Sequence, residues 1–301
     1  MTVLAAILPI FILIVLGYGM GRRAWLSTEA ANGLGKLAFQ VLMPVLLFTG
    51  MAQADLRHGF SLALLMAYFL PVLALFTLVN VLAHRRLGHC SPFGLTASYS
   101  NNVLIGIPLV LNLFGQEGLI YVFAVLAFHS LLLFNLQSFY DATALGKSLS
   151  ARTLLTSLAN PLVIGLVLGV IVNLAGLELP APMAQVLTWL AGAALPCALL
   201  VLGTHLSRYR LRPTRIAVAL AFTKLVLAPL AVLSACLAVG LNPMAVAVLT
   251  LMAACPSGVN VLGFAQTAED NRNVSSAVTL STVLAVLTVP CWVWLAQHMA
   301  A

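Results

Sequence analysis

The chain carries one pattern of interrupted apolar segments twice. Leu8-Pro9 followed by Gly17 returns as Asn160-Pro161 followed by Gly169, and Leu42-Met43-Pro44 returns as Ala194-Leu195-Pro196. Pro9, Gly17 and Pro44 each recur 152 residues later, while Pro71 and Asn102-Val103-Leu104 recur 158 residues later as Pro229 and Asn260-Val261-Leu262. The six-residue change falls in the loop after the second segment, where added length is cheap. Apolar stretches long enough to span a bilayer are expected at about 2–21, 33–52, 61–83, 93–113, 118–140, 154–175, 183–204, 214–239, 243–266 and 273–297. Five spans per copy is an odd number, so the second copy must enter the membrane from the other side. Residues 1–150 and 151–301 are therefore expected to form an inverted repeat about an axis in the membrane plane.

With 62% hydrophobic and 7% charged residues, a 301-residue chain cannot hide its apolar surface from water. Lipid must be part of its solvent. A net charge of +7 in a soluble protein would suggest nucleic acid. Here the placement of the charges says otherwise. Arg22, Arg23, Lys36, Arg85, Arg86, Lys147, Arg152, Arg208, Arg210, Arg212, Arg215 and Arg272 fall in the odd-numbered loops, whereas the even loops hold only Arg57. That bias predicts cytoplasmic odd loops, with both termini on the other side. The first segment lacks basic residues before its apolar run and an A-x-A cleavage pattern, so it reads as a span rather than a leader. The five cysteines, Cys90 in a cytoplasmic loop and the others intramembrane, read as reduced packing residues. Gly17-x-x-x-Gly21 and Gly165-x-x-x-Gly169 read as close helix packing rather than phosphate loops.

Chemistry concentrates in the fourth and ninth spans. The fourth reads Ser100-Asn101-Asn102-Val103-Leu104-Ile105-Gly106-Ile107-Pro108, and the ninth Cys255-Pro256-Ser257-Gly258-Val259-Asn260. Adjacent amides deep in lipid are costly unless they bond to freed backbone or to a polar ligand. Pro256 removes a donor and Gly258 tolerates irregular backbone. Matching disruptions in both copies point to broken helices that cross, with Gly106, Pro108, Pro256 and Gly258 shaping the crossing. Two half-helix N-termini would then converge with free N–H groups, an arrangement that favours an anion. No carboxylate falls inside a span, where a cation carrier would be expected to hold one. Lys224 is the sole charged side chain well within a span, readable as an anion's counter-charge or as a cap on freed carbonyls. Asn101, Asn102, Ser257, Asn260 and Lys224 are the substrate-binding candidates. His129 is a candidate proton carrier or a bonded core histidine; Gln40, Tyr99 and Gln266 are candidate lining residues.

On these residues the whole chain resembles the auxin efflux carrier family, in its bacterial branch of dicarboxylate permeases. Asn101 to Leu109 matches the family's Asn-x-Gly-x-x-Gly-x-Pro-Leu pattern. Cys255 to Asn260, Ser276-Ala277-Val278-Thr279-Leu280-Ser281-Thr282 and Leu287-Thr288-Val289-Pro290 match as well. The pattern's first Gly is Val103 here, and Asn102 adds a second amide. The resemblance implies a ten-helix fold like that of bile-acid and sodium carriers in a bacterial inner membrane. It also implies a scaffold of helices 1, 2, 6 and 7, often dimeric, and a moving unit of helices 3–5 and 8–10.

The reading is a secondary transporter of a small organic anion, a mono- or dicarboxylate such as malonate or malate, with no cofactor. A potential of 100 mV, negative inside, contributes ~2.3 kcal/mol toward export of a monoanion. Import of a dianion must overcome about twice that and needs coupled protons or sodium. Two alternatives stay open, an exporter of auxin-like amphipathic weak acids and a ligand sensor on a transporter fold. An intramembrane enzyme is disfavoured by the lack of HExxH, paired carboxylates or a Ser-His pair at recognisable spacing.

Overall fold

The computed structural model describes residues 3–54, 61–144, 161–208 and 214–300, with side chains from Leu8 onward. Asn160, Arg57, Lys147, Arg152, Arg210, Arg212, the expected repeat boundary near residue 150 and the first part of the sixth expected span lie outside the described residues. Among the described residues every named element is a helix, and the extended pairing is a single-residue bridge between Ser100 and Ser257.

Helix α1 runs Val3–Arg22. Helix α2, Thr28–Ala52, is capped by the Ser27 side chain, which accepts the Ala30 N–H. Helix α3, Leu62–Leu87, begins at a Ser61 cap and stops at Gly88, where φ is 73°. The fourth helix is in two pieces, α4a (Phe93–Ser98) and α4b (102–114). Gly115, at φ 65° and ψ −160°, separates α4b from α5 (116–144). Then come α6 (Pro161–Leu174), α7 (Ala181–Leu206) and α8 (Arg215–Val239). The ninth helix is again divided, into α9a (Pro243–Ala254) and a 3-10 turn, α9b (Val259–Phe264). Helix α10, Ala268–Ala300, closes the chain.

Among the described residues six stretches are long and apolar enough to cross a membrane: α2, α3, Asn102–Thr143, α7, α8 and Ala268–Met299. The described part of α1, α6 and α9a are apolar but shorter. Their outward faces carry large apolar side chains such as Val15, Trp189 and Leu287, each about two-thirds exposed. An apolar surface of that extent is tolerated only against lipid. The chain is a multi-pass, all-helical integral membrane protein.

Prolines shape these helices. The π turns Ala38–Leu42, Asn102–Gly106 and Thr223–Leu227 each end two residues before a proline, Pro44, Pro108 and Pro229 respectively. A proline lacks an N–H and its ring crowds the carbonyl four residues back, and a widened turn absorbs that clash.

Glycines set the closest packing. A Cβ on Gly17 would stand 2.2 Å from the backbone oxygen of Leu200, and one on Gly169 would stand 2.6 Å from that of Phe48. Thus α1 lies on α7 and α6 lies on α2, backbone against backbone, as small residues permit in lipid. The two contacts map onto each other through the 152-residue offset, Gly17 onto Gly169 and Phe48 onto Leu200. A second group of helices, α3, α4a, α8, α9a and α10, pack on one another.

Candidate functional site

The two helix breaks meet. Between α4a and α4b the backbone of Tyr99 is extended, and between α9a and α9b so are those of Cys255 and Gly258. Antiparallel bonds join the breaks: the Asn101 N–H donates to the Pro256 carbonyl at 2.8 Å, and the Gly258 N–H to the Tyr99 carbonyl at 3.2 Å. Gly258 is required by this approach, because a Cβ there would lie 2.5 Å from the Tyr99 ring. Ser257, fully buried, donates its hydroxyl to the Thr96 carbonyl at 2.7 Å, and its N–H donates to the Ser281 hydroxyl at 3.2 Å. The Ser276–Thr282 stretch of α10 thus backs the crossing.

These bonds correct one expectation. The N–H groups of Asn101 and Gly258 are satisfied by the opposite break, so they are not free to receive a ligand. The continuation after the second break is a 3-10 turn of 6 residues rather than an α-helix, which leaves little aligned dipole on that side. On the α9 side, attraction for an anion must therefore come mainly from side chains.

Those side chains face a cavity of about 380 Å³, between α2 and α7 on one side and the crossing on the other. From the crossing come Tyr99, Asn101, Asn102 and Asn260; from α2 come Asn32, Lys36 and Gln40; from α7 comes His205. Asn101 is 7% exposed and its Nδ2 has no hydrogen-bond partner. Asn102, 1% exposed, donates its amide to the Tyr68 hydroxyl at 3.2 Å, leaving its Oδ1 without one. Two buried amides with unmet bonding capacity at one cavity call for a polar occupant, because an unmade buried hydrogen bond is expensive. No carboxylate lines the cavity among the described residues, and Lys36 supplies a cation.

Other expected residues lie elsewhere. Lys224 is fully buried in the Thr223–Leu227 π turn, with its Nζ donating to the Ala253 carbonyl. That carbonyl is in the last turn of α9a, whose acceptors the break leaves without helical donors. That contact is the one a cap on freed carbonyls would make. Ser257 holds the crossing together from behind. His129 is buried against Tyr99, ring centroids 4.6 Å apart, one layer behind the lining. Gln266 is exposed and does not line the cavity; Pro108 lines a different one. Gly106 faces the Asn102 side chain, 3.3 Å from where its Cβ would be.

The sequence pattern of the membrane transport protein family matches residues 2–139 and 145–293. The chain belongs to that family. It is the auxin efflux carrier-like group anticipated from the helix-break motifs. Among similar proteins, an uncharacterized transporter of Methanothermobacter thermautotrophicus is 28% identical, over 95% of this chain and 96% of its own. A protein named as a candidate malonate transporter in Rhizobium meliloti is 26% identical, over 94% and 92% of the two chains. The uncharacterized transporter YfdV of Escherichia coli is 24% identical over 97% and 96%.

For this membrane transporter the sequence reading omitted Asn32, Lys36, His205 and Tyr68. A signal for the first two exists: Asn32, Lys36 and Gln40 recur every four residues and so share one face of α2. Lys36 lies within the positive-inside bias, which accounts for its charge without any reference to a cavity. His205 and Tyr68 belong to other spans, and nothing local links them to the crossing.

Proposed function

We propose that this protein is a secondary transporter that moves a small organic anion, a mono- or dicarboxylate of malonate or malate size, by alternating access. The observation that carries this reading is the pair of incompletely bonded buried amides, Asn101 and Asn102, lining a cavity that has Lys36 and, among the described residues, no carboxylate. Carboxylate oxygens accept from an amide N–H and from an ammonium, and the free Asn102 oxygen can take a hydroxyl or a bound water. Support for the substrate class comes also from the R. meliloti relative's name, at 26% identity.

The architecture proposed for this cycle is a ten-span, five-plus-five inverted repeat, with α1, α2, α6 and α7 as a fixed scaffold and the remaining helices as the moving unit. The repeat-related contacts Gly17–Leu200 and Gly169–Phe48 support that division. In this reading both termini lie outside the cytoplasm, in an inner-membrane homodimer. Under that topology the cavity lined by Lys36 and His205 opens inward.

A second reading has its own observation. The wall facing the crossing is largely apolar, with Phe39, Leu162, Val201 and Leu202, which suits a carboxylate carrying an apolar body and hence export of amphipathic weak acids.

Tracer counterflow in proteoliposomes separates the two readings. Exchange of short dicarboxylates supports the first, and selective exchange of aromatic monocarboxylates supports the second. Exchange of neutral or cationic solutes alone would overturn both. Topology is checked in intact cells: cysteines at Glu117 and Glu178 should react with an impermeant thiol reagent, and one at Arg208 should not.

A further inference from the structure

A second cavity, of about 610 Å³, lies between α1, α2 and α7 and the α4b–α5 pair. Its walls are the repeat counterparts of the first. On α2, Lys36, Phe39 and Gln40 line the first cavity; 152 residues on, Thr188, Ala191 and Gly192 of α7 line the second. On α7, Val201, Leu202 and His205 line the first; 152 residues back, Thr49, Gly50 and Gln53 line the second. Ile10 and Leu162 complete the correspondence from α1 and α6. Seven lining positions match at this one offset, more than a chance pair of clefts would share. Lys36 and Gln53 are 17 residues apart on α2, about 26 Å along a helix, so the cavities open toward opposite ends of the same scaffold helices. Asn101 and Asn102 line only the first.

The two walls differ in charge. Where the first has Lys36 and His205, the second has neutral Thr188 and Gln53. No Asp or Glu lines either cavity among the described residues. Among the described residues, charged groups toward the Lys36 end include Glu29, at the start of α2, and Arg208, which act on each other, and Arg22, next to Gly21, which packs on Ser207; Arg208 also acts on His205.

We propose that the second cavity is the opposite-face vestibule, and that Lys36 makes the two vestibules electrostatically unequal. An anion is concentrated at the Lys36 face and meets no such field at the other. The apparent affinity for anion is then higher from the Lys36 face, while gradients still set the net direction, since a fixed charge cannot drive a cycle. The affinity claim rests on the anion reading above, whereas the field itself does not.

The test reads the field without any substrate. Single cysteines Gln40→Cys and Gly192→Cys, at repeat-related positions, are placed in purified protein with Cys197 and Cys291 replaced by alanine. Each is reacted with anionic and with cationic methanethiosulfonate reagents of matched size. The anionic-to-cationic rate ratio should be about five-fold higher at position 40, the effect of one nearby cation in water. Lys36→Gln should bring it to the value at position 192, and Thr188→Lys should raise the ratio there. Equal ratios, or a ratio at 40 unmoved by Lys36→Gln, overturn the proposal. Phe39→Cys and Ala191→Cys give the same comparison should either glutamine or glycine variant not fold. In proteoliposomes, Lys36→Gln should raise the half-saturating malonate concentration on its own face only. An equal rise on both faces would place Lys36 at a shared site and overturn the vestibule role. If no carboxylate is carried at all, the anion reading falls while the thiol ratios still decide the field.

Discussion

The breaks in α4 and α9 occupy matching places in the two halves of the sequence but have become different parts. The α4 break keeps two adjacent amides that line a cavity, each with one unsatisfied polar atom, and returns at once to helix through a π turn. The α9 break holds Pro256, Ser257 and Gly258, continues only as a 3-10 turn, and directs Ser257 into the protein. Each needs the other, since the backbone bonds at Asn101 and Gly258 run between them. Matched position therefore fixes where the helices open, and the residues at each opening decide whether it binds or braces. On this account substitutions in the α4 break damage transport in a protein that still folds. Those in the α9 break, Asn260 apart, damage folding first.

The largest expected effect is at Gly258. Gly258→Val puts branched carbons into the Tyr99 ring and should prevent stable expression; a well-folded, active variant would show that the breaks are not held as close as 2.5 Å implies. Next are the amides. Asn101→Ala or Asn260→Ala should weaken anion binding by roughly ten- to a hundred-fold, the value of a hydrogen bond to a charged group, with the melting temperature little changed. Loss of melting temperature with affinity intact would erase the distinction between the breaks.

How much of this was legible beforehand follows from which interactions are local. Proline, glycine and paired asparagines mark a break by their own backbone and solvation chemistry, so the fourth and ninth spans were readable as broken helices. The helix extents were legible because lipid demands unbroken apolar runs. What Ser257 bonds to was not, because Thr96 is 161 positions away and either role suits a buried hydroxyl. Lys224 was ambiguous for the same reason: a buried ammonium must find acceptors, and whether these are carbonyls or a ligand depends on where Ala253 lies. The place of Lys36 at the cavity was not legible, because its charge serves topology equally well.

Ser257→Ala should then cost stability by roughly 1–3 kcal/mol, as for a buried hydrogen bond left half made, while affinity in the surviving protein holds. Melting in detergent beside ligand titration separates the two. Lys224→Gln should act like Ser257→Ala, lowering stability without weakening the anion; a drop in affinity at unchanged melting temperature would restore Lys224 as a counter-ion and shift the binding site behind the crossing.

The central claim is that the α4 amides, lining a cavity with no carboxylate among the described residues, hold an organic anion during transport. Malonate counterflow into proteoliposomes, comparing wild type with Asn101→Ala/Asn102→Ala at matched folded protein, tests it most directly. The account predicts saturable exchange in the wild type, competed by other short carboxylates and reduced at least about ten-fold in the double variant. Equal exchange by both proteins would contradict it.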